Sequence, residues 1–192
     1  MKIGVLSVQG AVSEHLKMLG LCGVQALAVS DKESLSRVTG LIIPGGESTT
    51  IGKLIAEAGL TETIKTRSKN DNLAVFGTCA GMVLMANEVS DGIQGQLKLE
   101  LMDIKVKRNA FGRQRESFET SLEFNAFEES LTGVFIRAPI VEEASAKVTS
   151  LAELPEGIVA ARQGNMLVTS FHPELADDLR VHQYFIAICK KL

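Results

Sequence analysis

The feature that most constrains the fold is an alternation of short apolar runs with helical patterns over the first half of the chain. Residues 2–8, 24–29, 41–43 and 73–77 are apolar runs of strand length, each followed by residues with helical spacing. Strands that alternate with helices form parallel sheets with helices on both faces, and such strands are short and almost wholly apolar. The sequence therefore predicts an α/β fold, a three-layer sandwich around a mostly parallel central sheet.

After about residue 97 the pattern changes to strand candidates with little helix between them. They cover residues 101–108, 117–124, 133–137, 140–149, 158–162 and 166–171. This half is typical of additional antiparallel strands beside a parallel sheet. Two helices are also predicted, over residues 80–87 and 176–190. No linker, repeat or low-complexity segment divides the chain, so residues 1–192 are predicted to form a single domain.

Composition and charge argue against several classes of protein. The 192 residues are 45% hydrophobic and 22% charged, and the formal net charge of −3 with no basic patch predicts no nucleic-acid partner. No apolar run approaches the roughly 18 residues of a membrane span, so we expect no membrane partner and a cytoplasmic location. Cys22, Cys79 and Cys189 are too few and too scattered for a disulfide framework or a zinc site. We expect neither a metal nor a cofactor.

Cys79 occupies a Gly-x-nucleophile-x-Gly turn. Residues 77–81 (Gly-Thr-Cys-Ala-Gly) lie between a predicted strand and a predicted helix, where such a sharp turn lifts a nucleophile above an α/β sheet. A helix N-terminus favours a thiolate, and the N–H of Ala80 is a candidate oxyanion donor. Buried inert cysteines are common, so the pentapeptide alone leaves open a small residue in a tight turn.

His172 and Glu174 form a second candidate site at the end of an apolar strand. Pro173 favours an extended conformation for His172, and residues two apart in an extended segment face the same side. The carboxylate of Glu174 is then placed to orient the imidazole of His172 as a general base. His15 and His182 lie in helical patterns, where we expect helix-surface or packing residues. A loop histidine with a solvated glutamate is the alternative, and the Cys79 turn makes it less favourable.

Residues 44–50 (Pro-Gly-Gly-Glu-Ser-Thr-Thr) link a strand to a helix. The N–H of Gly46 is a candidate second oxyanion donor, and Ser48 or Thr49 is the predicted N-cap of the helix. The spacing of a phosphate-binding loop is absent, and Glu47 places an anion where a phosphate would lie. The carboxylate of Glu47 favours a substrate amine instead, although a simple strand-to-helix turn stays open.

The chain resembles class I glutamine amidotransferases, and more narrowly the glutaminase subunit of pyridoxal 5′-phosphate synthase. The superfamily resemblance is carried by residues 8–11 (Val-Gln-Gly-Ala), 44–50, 77–81 and 170–175 (Ser-Phe-His-Pro-Glu-Leu). The narrower resemblance is carried by residues 108–114 (Arg-Asn-Ala-Phe-Gly-Arg-Gln), 117–119 (Ser-Phe-Glu) and 135–139 (Phe-Ile-Arg-Ala-Pro). It spans nearly the whole chain and implies a flavodoxin-like fold.

The resemblance implies a role for each matching residue. It makes Cys79 the nucleophile that attacks L-glutamine, with His172 and Glu174 completing a catalytic triad. It places Gln9 at the interface with a separate pyridoxal 5′-phosphate synthase (lyase) subunit, which receives the ammonia and activates this one. The positions implied to bind glutamine are Gly46, Glu47, Ser48, Arg108, Ile136 and Arg137. A misaligned oxyanion donor near Gly46 is a plausible physical basis for such activation.

Three other functions stay open at this stage. The first is an amidotransferase subunit that serves another acceptor enzyme, such as one of an imidazole or purine pathway. The second is a non-catalytic redox or stress protein of the same fold, which has no use for a His-Pro-Glu pair. The third is a hydrolase or peptidase that uses the turn at Cys79.

Overall fold

The structure, a computed structural model, describes residues 1–70, 72–93, 95–112 and 116–192. Its helices are α1 (Val12–Leu21), α2 (Lys32–Ser36), α3 (Ser48–Glu57), α4 (Thr61–Lys69), α5 (Ala80–Met85) and α6 (Arg180–Cys189), with a 3₁₀ turn at Pro173–Leu175. None of these helices has the length and apolar character needed to cross a membrane. Arg113 and Gln114 of the 108–114 motif lie outside the described residues.

The strands of the described residues form one large mixed sheet and one separate ribbon. They are β1 (Lys2–Leu6), β2 (Gln25–Val29), β3 (Gly40–Ile43), β4 (Ala74–Thr78), β5 (Ala86–Val89), β6 (Met102–Lys107), β7 (Ser117–Leu122), β8 (Leu131–Ile136), β9 (Ile140–Ala144), β10 (Thr149–Leu154), β11 (Gly157–Gln163) and β12 (Met166–Thr169). The large sheet runs β2-β1-β3-β4-β12-β11-β9-β6-β5, with β10 beside β11, and β7 pairs with β8 alone.

The parallel part of the sheet sets the position of the site. Strands β2, β1, β3, β4 and β12 are mutually parallel, whereas β11 pairs antiparallel with β12, β9 and β10. The predicted α/β fold, with a mostly parallel centre and additional antiparallel strands, is therefore confirmed. Open sheets of this kind bind ligands beyond the carboxyl ends of their strands. The loops that follow β3, β4 and β12 all begin at these ends, which we call the carboxyl edge of the sheet.

Side chains of the central strands point alternately into two apolar layers, one on each face of the sheet. Ile43 and Val75 pack beneath α3, α4 and α5 on one face of the sheet. Ile42 and Phe76 pack with α1, α6 and the β7–β8 ribbon on the other face. Because successive residues of a strand point to opposite faces, both layers are built from the same strands.

Three predicted boundaries were wrong. The helix predicted over 80–87 ends at Met85, and β5 follows immediately and pairs with β6. The strand predicted over 140–149 ends at Ala144, and a separate strand that was not predicted, β10, begins at Thr149; both pair with β11. The helix predicted from residue 176 begins at Arg180, because a 3₁₀ turn and a short connection occupy the preceding residues.

Candidate active site

Cys79 lies in a strained turn between β4 and α5. Its φ of 48° and ψ of −100° lie outside the regions that non-glycine residues prefer. The N–H of Cys79 donates to the carbonyl of Thr169 on β12 at 2.8 Å, and the Cys79 carbonyl accepts from the N–H of Met82 at 3.0 Å. Sheet and helix therefore hold the two sides of the turn and place the sulfur at the carboxyl edge of the sheet.

The two glycines that flank Cys79 allow close backbone contacts, as the sequence predicts. A Cβ added to Gly81 would lie 2.3 Å from the carbonyl oxygen of Ile43, and one added to Gly77 would lie 2.5 Å from the carbonyl carbon of Gly81. Backbone cannot yield as a flexible side chain can, so larger residues at either position would displace the turn.

His172 and Glu174 are in contact, but the geometry differs from the prediction. Glu174 lies in the 3₁₀ turn rather than in an extended segment, so the predicted local conformation was wrong. The carboxylate reaches the ring nevertheless, with Glu174 Oε1 2.7 Å from His172 Nδ1. The His172 N–H also donates to the carbonyl of Val134 on β8 at 2.8 Å. The ribbon therefore anchors the histidine backbone while Glu174 orients the ring.

The imidazole of His172 lies between the Glu174 carboxylate and the Cys79 thiol. Burial lowers the pKa of His172, but hydrogen bonds to Cys79 and Glu174 and the charges of both groups outweigh it and raise this pKa to about 10. Burial raises the pKa of Glu174, but the charges that His15 and His172 carry when protonated and the hydrogen bond to His172 outweigh it, and they hold that pKa below its ordinary value. This arrangement favours an ionised carboxylate beside a protonated imidazole.

The loop after β3 packs directly against His172. A Cβ on Gly45 would lie 2.4 Å from His172 Cε1, so the ring takes the space that a side chain would fill. A Cβ on Gly46 would lie 2.5 Å from Gln9 Oε1, and the same oxygen accepts from the N–H of Glu47 at 3.2 Å. The two glycines thus bring the loop against both the histidine and the exposed side chain of Gln9.

Glu47 caps helix α3, a role that the sequence interpretation assigned to Ser48 or Thr49. Its carboxylate accepts from the N–H groups of Thr49, at 3.0 Å, and Thr50, at 2.6 Å. Burial raises the pKa of Glu47, but these hydrogen bonds outweigh it and lower the pKa to about 2. Two carboxylate oxygens offer about four acceptor positions, so the cap leaves capacity for a further donor.

A cavity of about 520 Å³ brings together nearly all of the residues singled out from the sequence. The predicted residues that line it are Gln9, Gly46, Glu47, Ser48, Cys79, Ala80, Arg108, Ile136, Arg137 and His172. Glu174 lies behind His172 rather than on the cavity wall. The carbonyl of Ile136 is 3.8 Å from the Cys79 sulfur. Arg137 is exposed and adopts a φ of 43°, which is uncommon for a residue other than glycine.

Gln96 is a site residue that the sequence interpretation missed. Its amide nitrogen donates to Ser48 Oγ at 3.1 Å, and its amide oxygen accepts from Arg108 Nη1 at 3.3 Å. It therefore joins two residues that lie far apart in the sequence. No motif surrounds Gln96, so only the fold of the connection before β6 reveals this contact.

His15 and His182 were only partly understood from the sequence. They belong to helices, as predicted, and both are fully buried, which agrees with the packing alternative and excludes a helix-surface position. His15 Nδ1 lies 3.0 Å from His182 Nε2, and His15 Nε2 lies 3.4 Å from Glu174 Oε2. The helical pattern hides this contact because the partners come from opposite ends of the chain.

Comparison with known proteins shows the family of the chain. Residues 5–191 match the model of the SNO glutamine amidotransferase family. The chain belongs to this family. It is 52% identical over 192 residues to the "Pyridoxal 5′-phosphate synthase subunit PdxT" of Dehalococcoides mccartyi, covering 99% of this chain and 98% of that relative. It is also 52% identical over 194 residues to the protein of the same name from Carboxydothermus hydrogenoformans, covering the whole of both chains.

Solved structures support the family and the fold. A crystal structure described as a glutamine amidotransferase superposes with a TM-score of 0.93 at 45% identity and covers 98% of each chain. The structure of PurLQS from Thermotoga maritima superposes with a TM-score of 0.67 at 16% identity and covers 97% of each chain. The second similarity shows a shared fold alone.

Proposed function

We propose that this family member is the glutaminase subunit of a pyridoxal 5′-phosphate synthase. It hydrolyses L-glutamine to glutamate and ammonia and delivers the ammonia to a separate synthase (lyase) subunit. The observation that carries the proposal is the contact of His172 with both Cys79 and Glu174 at one cavity. Relatives that are 52% identical over essentially the whole chain bear the name of that synthase's subunit, and this favours the pyridoxal branch over other acceptors.

In the first half of the reaction, the Cys79 thiolate attacks the side-chain amide carbon of glutamine. The carbonyl π electrons move to oxygen, and the N–H groups of Ala80 and Gly46 hold the resulting oxyanion. Ala80 is the first residue of α5, where N–H groups have no partner within the helix. Removing one such donor costs about 10² to 10³ in kcat in other enzymes.

His172 transfers a proton in each half of the reaction. Its imidazolium gives a proton to the amide nitrogen as the carbon–nitrogen bond breaks, so ammonia leaves and a thioester remains on Cys79. The neutral imidazole then takes a proton from water as the water oxygen attacks the thioester carbon. Glutamate leaves as the carbon–sulfur bond breaks and the thiolate re-forms. In both halves of the reaction, Glu174 stabilises the imidazolium through the 2.7 Å contact of its Oε1 with His172 Nδ1.

The cavity offers groups of the right charge for the ends of glutamine. Arg108 and Arg137 are cations placed to pair with the α-carboxylate, and Glu47 keeps acceptor capacity for the α-ammonium. Ser48 is buried on the wall and adds a hydroxyl. The backbone carbonyl of Ile136 lies 3.8 Å from the sulfur on the wall of the same cavity.

Gln9 provides a physical route from the synthase partner to the oxyanion donor. Its exposed side chain accepts from the N–H of Glu47, directly after Gly46. The Gly45 carbonyl accepts from the N–H of Ala11 at 3.3 Å, so the turn after β1 touches the same loop twice. A partner that binds Gln9 acts on the loop that carries the Gly46 N–H, and binding energy then aligns this donor.

The test is ammonia release from L-glutamine by the isolated chain and by the chain with its synthase subunit. We expect the synthase to increase the rate, Cys79→Ala to abolish release, and Cys22→Ala to retain it. Absence of ammonia release in the presence of the synthase would contradict the proposed function. Full activity of the isolated chain would contradict activation by the partner. Co-purification with a different acceptor enzyme would contradict the pyridoxal assignment.

A further inference from the structure

Two buried histidines lie behind the residue that orients the catalytic base. His15 on α1 and His182 on α6 are both fully buried. His15 Nε2 lies 3.4 Å from Glu174 Oε2 and 3.3 Å from Thr78 Oγ1, while His15 Nδ1 lies 3.0 Å from His182 Nε2. Since Glu174 Oε1 contacts His172, the carboxylate is held between two imidazoles.

The charges around this cluster determine where its protons lie. The pKa of Glu174 is below its ordinary value, so its carboxylate is ionised and accepts only. Burial lowers the pKa of His15 below its ordinary value, and burial together with the nearby His15 lowers the pKa of His182 to about 3. Both rings are therefore neutral near pH 7, and each carries one N–H. His172 and the more distant Glu14 also act electrostatically on His15.

Of the two neutral tautomers of His15, only the one protonated at Nε2 has an N–H on the side where Glu174 Oε2 and Thr78 Oγ1 lie. The Nε2–H of His15 points toward Glu174 Oε2 and Thr78 Oγ1, which leaves Nδ1 as an acceptor for the Nε2–H of His182. His182 Nδ1 then carries a lone pair and has no hydrogen-bond partner among the described residues. The N–H of His182 thus donates to His15, and the N–H of His15 faces Glu174 at a longer distance of 3.4 Å.

Packing alone does not account for this arrangement. Apolar side chains would fill the same space between α1, α6 and Phe76, whose ring centroid lies 6.3 Å from that of His15. A buried carboxylate oxygen without a donor is costly. No well-aligned hydrogen bond reaches Glu174 Oε2 within the described ranges, and the imidazole of His15 is the polar group that faces it.

We infer that His15 is a positioning residue for the glutaminase reaction, and that His182 fixes the tautomer in which His15 acts. The imidazole of His15 lies 3.4 Å from Glu174 Oε2 and holds the carboxylate turned toward His172. Glu174 in turn stabilises the His172 imidazolium that accompanies the Cys79 thiolate. This inference rests on the proposed function. Without the His15 imidazole, the carboxylate is no longer held toward His172 and stabilises the imidazolium less, so the thiolate–imidazolium pair forms at higher pH.

The experiment compares His15→Met with His15→Gln, which have similar shapes but differ in the donor at the end of the side chain. Two measurements are made on each protein. One is ammonia release in the complex with the synthase subunit, and the other is the pH dependence of Cys79 alkylation by iodoacetamide, resolved from Cys22 by peptide mass spectrometry. The alkylation profile reports on the thiolate without requiring turnover of glutamine.

We expect His15→Met to lower kcat by about 10- to 100-fold with KM within about twofold. We also expect it to raise the alkylation midpoint by about one pH unit. For His15→Gln, we expect kcat and the alkylation midpoint to stay close to the wild-type values. Wild-type values of kcat and midpoint in His15→Met would overturn the inference, and so would equal losses in the two variants.

A second variant keeps His15, so that the test does not depend on the folding of the His15 variants. His182→Met removes the donor to His15 Nδ1, and we expect it to move the alkylation midpoint in the same direction by a smaller amount; an unchanged midpoint contradicts the inference. If the wild-type complex releases no ammonia, the proposed function fails, whereas the midpoint shift still decides whether His15 acts on the Cys79–His172 pair.

Discussion

A buried cysteine lies near each end of the parallel strands: Cys79 in the turn after β4, and Cys189 at the end of α6 beside the start of β3. At the carboxyl edge, Cys79 contacts His172 beside a cavity. Toward the amino edge, Cys189 packs against the start of β3, where a Cβ on Gly40 would lie 2.5 Å from its sulfur. Burial raises the pKa of Cys189 to about 12. The proposed nucleophile thus differs from Cys189 in its imidazole partner and its place at a helix N-terminus, the surroundings that favour a thiolate in general.

The largest effect is expected from removing the reactive sulfur. Cys79→Ala should lower ammonia release by at least about 10⁴-fold, because the covalent route is lost. Cys189→Ala is the matched control, and it should leave kcat unchanged while destabilising the fold by about 1 kcal/mol. Assays of the two variants with the synthase subunit, together with urea unfolding, test the contrast. A folded Cys189→Ala variant without activity would break it.

A second, smaller loss of activity should follow when a larger residue at position 45 crowds the ring of His172. Gly45→Ala places a Cβ 2.4 Å from the present position of His172 Cε1, so the ring must move. We expect kcat to fall by about 10²-fold, since displacements of about 1 Å have that cost. Gly20→Ala in α1 meets no atom within 4 Å and should stabilise the chain by about 0.5–1 kcal/mol with unchanged activity. Equal activities of the two glycine variants would show that the ring is not held by the loop.

Substitution of Gln96 tests how much the antiparallel half of the chain contributes to glutamine binding at the carboxyl edge. Gln96→Ala removes the link between Ser48 and Arg108, so both side chains lose part of their preorganisation. KM for glutamine should rise by about three- to tenfold, with kcat within about twofold. Asn125→Ala, which removes a similar amide contact to the carbonyl of Ser150 away from the cavity, should change neither constant. Steady-state kinetics of the complex checks both.

The smallest effect concerns stability rather than chemistry. Glu47→Ala should lower the free energy of unfolding by about 1 kcal/mol at pH 7, because α3 loses its N-cap. The pKa of Glu47 is about 2 in the folded chain against an ordinary 4.5, so the cap stabilises the fold above pH 4.5. That stabilisation is lost as the pH falls toward 2.

Urea unfolding of wild type and variant at pH 7 and pH 3 checks the sign of this pH dependence. The difference between the two proteins should shrink at pH 3. Glu57→Ala is the control at the other end of α3, where an exposed ion pair with Lys53 should contribute little. An equal effect of the two substitutions would assign the loss to charge rather than to the cap.

The sequence by itself determined the class of fold and the chemistry-bearing residues. Apolar runs alternating with helical spacing require a parallel sheet, because only helices on both faces cover such strands. The glycines around Cys79 and at residues 45–46 predict sharp turns, since close backbone approach leaves no room for side chains. These signals are local, and the structure places the corresponding turns at the same edge of the sheet.

Tertiary structure alone decided which distant groups support that chemistry. The sequence predicted an extended conformation at Glu174 and a cap at Ser48 or Thr49, whereas the fold uses a 3₁₀ turn and Glu47. His15 and Gln96 belong to no motif, so their contacts with Glu174 and Ser48 are visible only after folding. Local patterns report backbone conformation, but contacts between segments far apart in the chain depend on how whole layers pack.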